Sequence, residues 1–269
     1  MADRELERRL RAAEAHARAA GAMAREFHLN RDALTVEAKA DPQDIVSRAD
    51  RSVEALLRAM VAEAFPGDGF LGEEEGLAEG TSGWTWVVDP IDGTSPFLHG
   101  MPHWCVSIAV MRGSEAVIGA IFDPNENALY SGALGMGARL NDRPLLLSPA
   151  LTLRNGMTGV GASWRTPPAL VGALITALLA DGGMFFRHGS GALMLAYVAA
   201  GRLAAYVEPH MHPWDCLAGL LLVREAGGWT ADYPGPDGLL QGGRVVAAGP
   251  GAVEGLKALI ARVGVEGLS

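Results

Sequence analysis

The chain has 269 residues, 49% of them hydrophobic, enough to build a large core and too apolar for a disordered chain. Its 31 acids against 22 lysines and arginines give a formal net charge of −9, which argues against a nucleic-acid polymer or an anionic membrane as the main partner. Cys105 and Cys216 make neither a Cys-x-x-Cys motif nor a disulfide framework, residues 1–27 lack the apolar stretch of a signal peptide, and no apolar run of about 18 residues is present to span a bilayer, so the expected location is a reducing cytoplasm.

Residues 2–27 space Leu6, Leu10, Ala13, Ala17, Ala20, Ala24 and Phe27 by threes and fours, the stripe of an amphipathic helix. Ser47 and Asp50 have the spacing of a capping box, with Asp where Glu or Gln is usual. A second helix follows, with Val53, Leu56, Leu57, Met60, Val61 and Ala64 on its buried face and Pro66-Gly67 at its end. Phe70-Leu71-Gly72 then pushes an apolar segment into Glu73-Glu74-Glu75. Taken alone, those acids read as a solvated turn, Asp50 as a helix-start acid and Lys39 as a surface lysine.

Trp86-Val87-Val88-Asp89-Pro90-Ile91-Asp92-Gly93-Thr94 changes that weighing. It reads as a buried strand that delivers two carboxylates across a Pro-Ile step. Pro90 fixes its own φ and bends the chain out of the strand, so Asp89 and Asp92 can point at one spot. Two carboxylates that close repel unless a proton or a cation lies between them, and hard cations such as Mg²⁺ take oxygen ligands of this kind. Gly93 permits close backbone approach, and the N–H groups of Gly93 and Thr94 can face an anion at a helix start. An EF-hand loop is a poor alternative, because the twelfth residue from Asp89 is Gly100 where the bidentate Glu should be. A strand ending in Glu73-Glu74-Glu75 just upstream places more acids nearby, since sequential strands usually neighbour one another.

Residues 95–102 form a short helix or turn. Strands are expected at 105–111, 116–122 and 128–133, joined by turns, as an antiparallel meander packed on the first two helices. After residue 155 strands (157–161, 184–187, 202–208, 229–233, 244–248) alternate with helices (167–180, 190–200, 213–226, 251–263), which implies a sheet covered by helices. Asp215 falls in the first turn of a helix, where an acid suits the positive helix end. His210 and His212 lack the partners for a zinc site and are expected as loop histidines rimming a pocket. No linker or repeat divides the chain, so one domain spanning 1–269 is expected, with lobes of about 1–150 and 151–269.

Lys39…Asp44…Asp50, Gly72-Glu73-Glu74, the nonapeptide, Gly189-Ser190-Gly191, and Trp214-Asp215 ending in Glu225-Ala226-Gly227-Gly228 together resemble the inositol monophosphatase family of Mg²⁺-dependent, lithium-sensitive phosphatases, over nearly the whole chain. The nonapeptide and the Trp-Asp block are specific as a pair; Gly-Glu-Glu alone is not. The resemblance implies a mixed α and β fold, a layered αβαβα sandwich, commonly in a homodimer. It implies that Glu73, Asp89, the Ile91 carbonyl, Asp92 and Asp215 hold about two to three Mg²⁺ ions, with Mn²⁺ as a substitute. Glu74 would sit beside them as part of the catalytic group. Asp50 and Thr94 would orient or activate the attacking water, and the Gly93 and Thr94 amides would bind phosphate. Glu208, Ser190 and Gly191 would contact the organic part. The implied reaction is hydrolysis of a small phosphorylated metabolite, such as an inositol monophosphate, by in-line attack of a metal-activated water. Histidinol phosphate, a sugar (bis)phosphate and a 3′-phosphonucleotide stay open as substrates.

Elementary chemistry agrees with that scheme. Phosphate monoesters hydrolyse extremely slowly unaided, and clustered divalent ions can neutralise phosphate and stabilise a leaving alkoxide without a protein nucleophile. Neither cysteine lies in a phosphate-cradling loop, and no Walker-type Gly-x-x-x-x-Gly-Lys is present. Pro96, Gly191 and the 209–213 segment depart from the usual pattern and bear on substrate choice. The competing reading is a catalytically silent protein that binds metal or a phospholigand on the same scaffold; the presence of both Asp50 and Thr94 weighs against it.

Overall fold

The N-terminal stripe forms α1 (Arg4–Leu29), which buries Leu6, Leu10, Ala13, Ala17, Ala20 and Ala24. The computed structural model describes residues 4–31, 36–38, 45–233 and 239–264; Lys39 and Asp44 lie outside them. A small antiparallel pair, β1 (Val36–Ala38) and β2 (Ile45–Ser47), leads into α2 (Arg48–Ala64). The capping box is present: Ser47 N–H and Oγ–H both donate to Asp50 Oδ2, at 2.8 and 2.6 Å. Val53, Leu57 and Val61 are buried as expected, but Leu56 and Met60 are only partly so, and the remaining inward position is taken by Glu54.

Next come β3 (Gly69–Gly72), β4 (Gly76–Ala78), β5 (Trp84–Asp92), the single-turn α3 (Thr94–Leu98), β6 (Cys105–Arg112), β7 (Glu115–Asp123), β8 (Ala128–Ala133), β9 (Gly137–Leu140) and β10 (Arg143–Leu145). These strands form one sheet in the order β10-β9-β8-β7-β6-β5-β3-β4. Every pairing is antiparallel except β3 with β5. The meander is therefore longer than the expected three strands. β4, β9 and β10 are too short and too exposed to leave an alternating pattern in the sequence.

The second half contributes β11 (Met157–Val160), α4 (Pro168–Ala180), β12 (Met184–Phe186), α5 (Gly191–Ala199), β13 (Ala205–Met211), α6 (Pro213–Glu225), β14 (Trp229–Thr230), β15 (Gly243–Ala248) and α7 (Val253–Val263). The five strands are ordered β12-β11-β13-β15-β14. β13 starts at Ala205 rather than at 202, because Gly201, at φ 67°, turns the chain out of α5 first.

Side-chain alternation stacks the layers. On β5, Trp86 and Val88 pack toward α1 and α2, while Val87 faces α5 and α6. On β13 and β15, Tyr206, Val245 and Ala247 face α5 and α6, while Val207, Val246 and Ala248 pack with Leu174 and Leu178 of α4 and Leu256 and Leu259 of α7. The order of layers is thus helix, sheet, helix, sheet, helix, an αβαβα sandwich. The middle helices α5 and α6 point their N-termini at the rim where β3 and β5 end.

Candidate active site

Because β3 and β5 run parallel, their C-terminal ends reach the same rim. Glu73, the first residue after β3, donates its N–H to Val88 O at 3.2 Å. Beyond Val88 the pairing of β5 with β6 slips: Asp89 lies opposite Ser107 and Asp92 opposite Cys105, three steps against two. This bulge at Pro90-Ile91 is the bend expected from the Pro-Ile step. It lets two acids three residues apart face one side, which a regular strand forbids. Asp89 Oδ1 accepts the Ile91 N–H at 2.9 Å, which ties the bulge to its own carboxylate.

Three helix starts converge there. Asp50 at the start of α2 uses Oδ2 in the capping box and accepts the Thr94 hydroxyl on Oδ1 at 3.3 Å. The Thr94 hydroxyl also lies 3.2 Å from the Ile91 carbonyl. Gly93 sits between at φ 97°, where a Cβ would come 2.6 Å from His103 O. Asp92 faces the start of α5: Oδ2 accepts Ser190 Oγ–H at 2.5 Å and Ala192 N–H at 2.7 Å, and Oδ1 accepts Gly191 N–H at 3.3 Å. The Cys105 thiol approaches Asp92 Oδ2 at 3.8 Å. Asp215 at the start of α6 accepts His212 N–H at 3.0 Å.

Carboxylate oxygens of Glu73, Asp89 and Asp215 all lie within 4.8 Å of one another. Burial and then the charges of Glu73, Asp92 and Asp215 push the Asp89 carboxyl well up. Burial and then Asp92 and Glu73 do the same to Asp215. Asp92 is also raised by burial, although its hydrogen bonds from Ser190, Ala192 and Gly191 oppose the rise. Acids held this close ionise together only with positive charge among them. Hard divalent cations, with their preference for carboxylate and carbonyl oxygen, fit this donor set, which includes no thiolate or imidazole.

The acids open into a cavity of about 170 Å³ that also receives Gly93, Thr94, Ser190, Gly191, Gly161, Arg187, His188, Tyr206, Glu208 and Met211. In the same cavity, the Tyr206 hydroxyl donates to Glu208 Oε2. Burial raises the Glu208 carboxyl to about 7 against the pull of Tyr206 and Arg187. Gly161 makes room for this pair, since a Cβ there would overlap the Glu208 carboxylate.

The predicted residues Glu73, Asp89, Ile91, Asp92, Gly93, Thr94, Asp215, Ser190, Gly191 and Glu208 all border that one cavity. Asp50 reaches it through Thr94. Asp92 stands apart from the three-acid group, engaged with α5. Glu74 is not among the residues that line the cavity, and its backbone N–H is bound to Glu54 Oε2 at 2.8 Å. The expectation for His210 and His212 is corrected: neither lines the cavity. Met211 between them points inward and fills the space a Gly191 Cβ would take, while His210 binds Gln241 O at 2.9 Å and His212 stacks on Trp214 at 4.7 Å. Pro96, the other departure, packs against Gly189.

Sequence reasoning missed Tyr206, Arg187 and His188. Tyr206 shares a strand face with Glu208, so a period of two offered a signal. His188 stacks on His103 at 4.2 Å, and burial followed by His103 lowers it to about 4; no spacing announces that pair.

A family model described as the inositol monophosphatase family matches residues 5–264. Inositol-1-monophosphatase of Rhizobium meliloti (strain 1021) is 40% identical over 228 residues, spanning 82% of this chain and 84% of that protein. Nus factor SuhB of Escherichia coli (strain K12) is 36% identical over 249 residues, spanning 90% and 91%. The crystal structure of extragenic suppressor protein suhB from Bartonella henselae superposes with a TM-score of 0.85 at 31% identity, covering 98% of this chain and 100% of that one. Fold, site motifs and relatives agree: the chain belongs to the inositol monophosphatase family.

Proposed function

We propose that this protein is a divalent-cation-dependent phosphomonoesterase, with Mg²⁺ the resident ion and Mn²⁺ its substitute, acting on a small phosphorylated metabolite of the inositol monophosphate kind. The observation that carries the reading is the close group of Glu73, Asp89 and Asp215 at one wall of a cavity whose other walls offer Thr94–Asp50 and Glu208. When bound, the divalent ions supply charge neutralisation to the phosphate and to the departing oxygen.

Glu73, Asp89, Asp215, Asp92 Oδ1 and the Ile91 carbonyl are the oxygens that would hold them. Glu74 supports the group from beside it through its backbone. Thr94 Oγ donates to Asp50 Oδ1, which leaves its lone pairs to accept from a water. As that water attacks phosphorus and the P–O bond to the organic part breaks, the water's proton passes to Thr94 while the Thr94 proton passes to Asp50, and the departing oxygen takes a proton from solvent to leave as the alcohol. The Gly93 and Thr94 amides orient the phosphate oxygens. Ser190 and the Gly191 amide hold Asp92, and Gly191 leaves space that Met211 shapes for the organic part. Glu208, oriented by Tyr206, meets a hydroxyl or amine of that part.

Phosphate release from a panel of inositol, sugar, histidinol and 3′-nucleotide monophosphates, with Mg²⁺ against EDTA, tests this. Release that requires the cation supports it; no release from any ester with Mg²⁺ or Mn²⁺ refutes it and favours the silent binding protein. Relatives named Nus factor SuhB make that control necessary, because that name describes no enzyme. Li⁺ is expected to inhibit at concentrations where Na⁺ at matched ionic strength does not, and equal responses would count against the resemblance to lithium-sensitive enzymes.

The partner most consistent with the surface is a second copy of the chain. β12 is an edge strand of its sheet, and Met184 and Phe185 on it are exposed together with Trp164 and Met157. Sedimentation equilibrium at twice the chain mass tests that assignment. No helix of the described residues is long and apolar enough to cross a membrane.

A further inference from the structure

Glu54 is a fully buried carboxylate for which the proposed chemistry has no use, 0% exposed. It lies one turn after Asp50 on α2, on the face otherwise filled by Val53, Leu57 and Val61. Charged side chains are almost never buried this far unless they are paired. Its partners lie on α2 itself and on the acidic loop. Oε2 accepts Glu74 N–H at 2.8 Å, and Oε1 accepts Glu75 N–H at 3.0 Å. Arg58, a turn further on, donates to the same Oε1 at 2.8 and 3.0 Å. Arg58 also donates to Gly76 O at 2.7 Å, reaches Glu75 Oε2 at 3.3 Å and lies 4.5 Å over the Phe70 ring. Gly72 completes the fit, because a Cβ there would overlap the Glu54 carboxylate.

The loop is thus gripped on both sides of one residue. Glu73 N–H is bound to Val88 O on β5, and the next two N–H groups are bound to Glu54. Hydrogen bonds to an ionised carboxylate are shorter and about twice as strong as neutral ones. A hard cation such as Mg²⁺ demands near-ideal ligand geometry, so a small shift of one ligand weakens binding.

We infer that Glu54, braced by Arg58 and admitted by Gly72, is the positioning residue that holds Glu73 in line with Asp89 and Asp215 and so sets the divalent-cation affinity of the site. This rests on the reading that the acid cluster binds such a cation. Groups that orient metal ligands typically change affinity by about 10- to 100-fold when removed.

The test is Mn²⁺ binding to folded protein without substrate, read from the electron paramagnetic resonance signal of free Mn²⁺, with folding checked by circular dichroism. Glu54→Gln turns one acceptor oxygen into an NH₂ that faces a backbone N–H. Gly72→Ala displaces the same carboxylate without touching its charge. Each is expected to weaken Mn²⁺ binding by about tenfold. Asp68→Asn, which disrupts a buried ion pair away from the acid cluster, is expected to lower the melting temperature and leave Mn²⁺ affinity within about twofold, since sites without shared partners act independently. If Glu54→Gln does not fold, Glu54→Asp, which keeps the charge and shortens its reach, takes its place with the same expectation. If wild type fails to bind Mn²⁺, the cation reading itself falls. If wild type binds and the Glu54 and Gly72 variants bind equally well, Glu54 only anchors the hairpin and the inference is overturned.

Discussion

The parallel pair of β3 and β5 carries acids at both ends, and the protein treats the two ends in opposite ways. At the entry end, the Asp68 side chain is 2% exposed and receives Arg9 Nε and Nη2 at 2.8 Å each, Trp86 Nε1 at 2.9 Å and Ser82 Oγ at 2.7 Å. Burial pushes its carboxyl up, but the bonds from Arg9, Ser82 and Trp86 outweigh that and hold it below the ordinary value of 3.8. At the exit end, Asp89 is buried among like charges, and its carboxyl is pushed well up by burial and then by the charges of Glu73, Asp92 and Asp215. An acid with its counter-charge built in stabilises the fold. Acids facing acids are stable as anions only when a ligand brings the charge.

The sharpest way to break this contrast is to neutralise one acid at each end. Asp89→Asn is expected to lower kcat by about a hundredfold or more at saturating Mg²⁺, because one of the carboxylates that would hold the cations loses its charge. Retention of most activity would remove Asp89 from the ligand set. Asp68→Asn is expected to leave kcat nearly unchanged and to destabilise the protein by about 3 kcal/mol, the scale of breaking a buried pair. The sign with pH follows from its depressed value. The Asp68 contribution is present above the unfolded pKa of 3.8 and is lost as pH falls through the lower folded value, so wild type and variant converge in strong acid. Urea unfolding at pH 7 and in strong acid checks this, and a gap of constant size would contradict it.

A smaller effect is expected at the far wall. Glu208→Gln is expected to reduce kcat/KM for the preferred ester by about tenfold and to change p-nitrophenyl phosphate hydrolysis much less. Equal losses would place Glu208 in support of the metal ligands or the fold. Its carboxyl, raised by burial to about 7, is largely protonated at pH 6 and charged at pH 8. The ratio of kcat/KM for an amine-bearing ester to that for a polyol ester should therefore rise across that interval, since only the charged form pairs with an ammonium group. Taking the ratio cancels any titration of the acid cluster. A flat ratio would mean that Glu208 does not read the leaving group.

The comparison also explains what was legible in the sequence. Pro90-Ile91 between two acids announced a strand that bends, and the bulge is there. Asp50 read correctly as a capping acid, and the same side chain also meets Thr94, so its structural and site contacts coexist on different oxygens. Glu54 is invisible to a search for an apolar helical stripe: Arg58 one turn on reads as an ordinary surface pair, and the loop amides that Glu54 holds lie 20 and 21 residues away. His210 and His212 read as loop residues in the sequence, but β13 extends through Met211, and a bulge between Glu208 and Met211 brings Met211 rather than His210 to the cavity beside Tyr206 and Glu208. The short strands β4, β9 and β10 depend on neighbouring strands rather than on their own pattern.

The central claim, that the exit-end acids repel until a cation joins them, is tested most directly by thermal unfolding of metal-free and Mg²⁺-loaded protein for wild type, Asp89→Asn and Asp68→Asn. The account predicts that Mg²⁺ raises the wild-type melting temperature. It predicts that Asp89→Asn melts higher than wild type without metal and gains little from Mg²⁺, while Asp68→Asn melts lower and keeps the full Mg²⁺ gain. A wild-type melting temperature indifferent to Mg²⁺, or an Asp89→Asn variant that melts below wild type without metal, would contradict it.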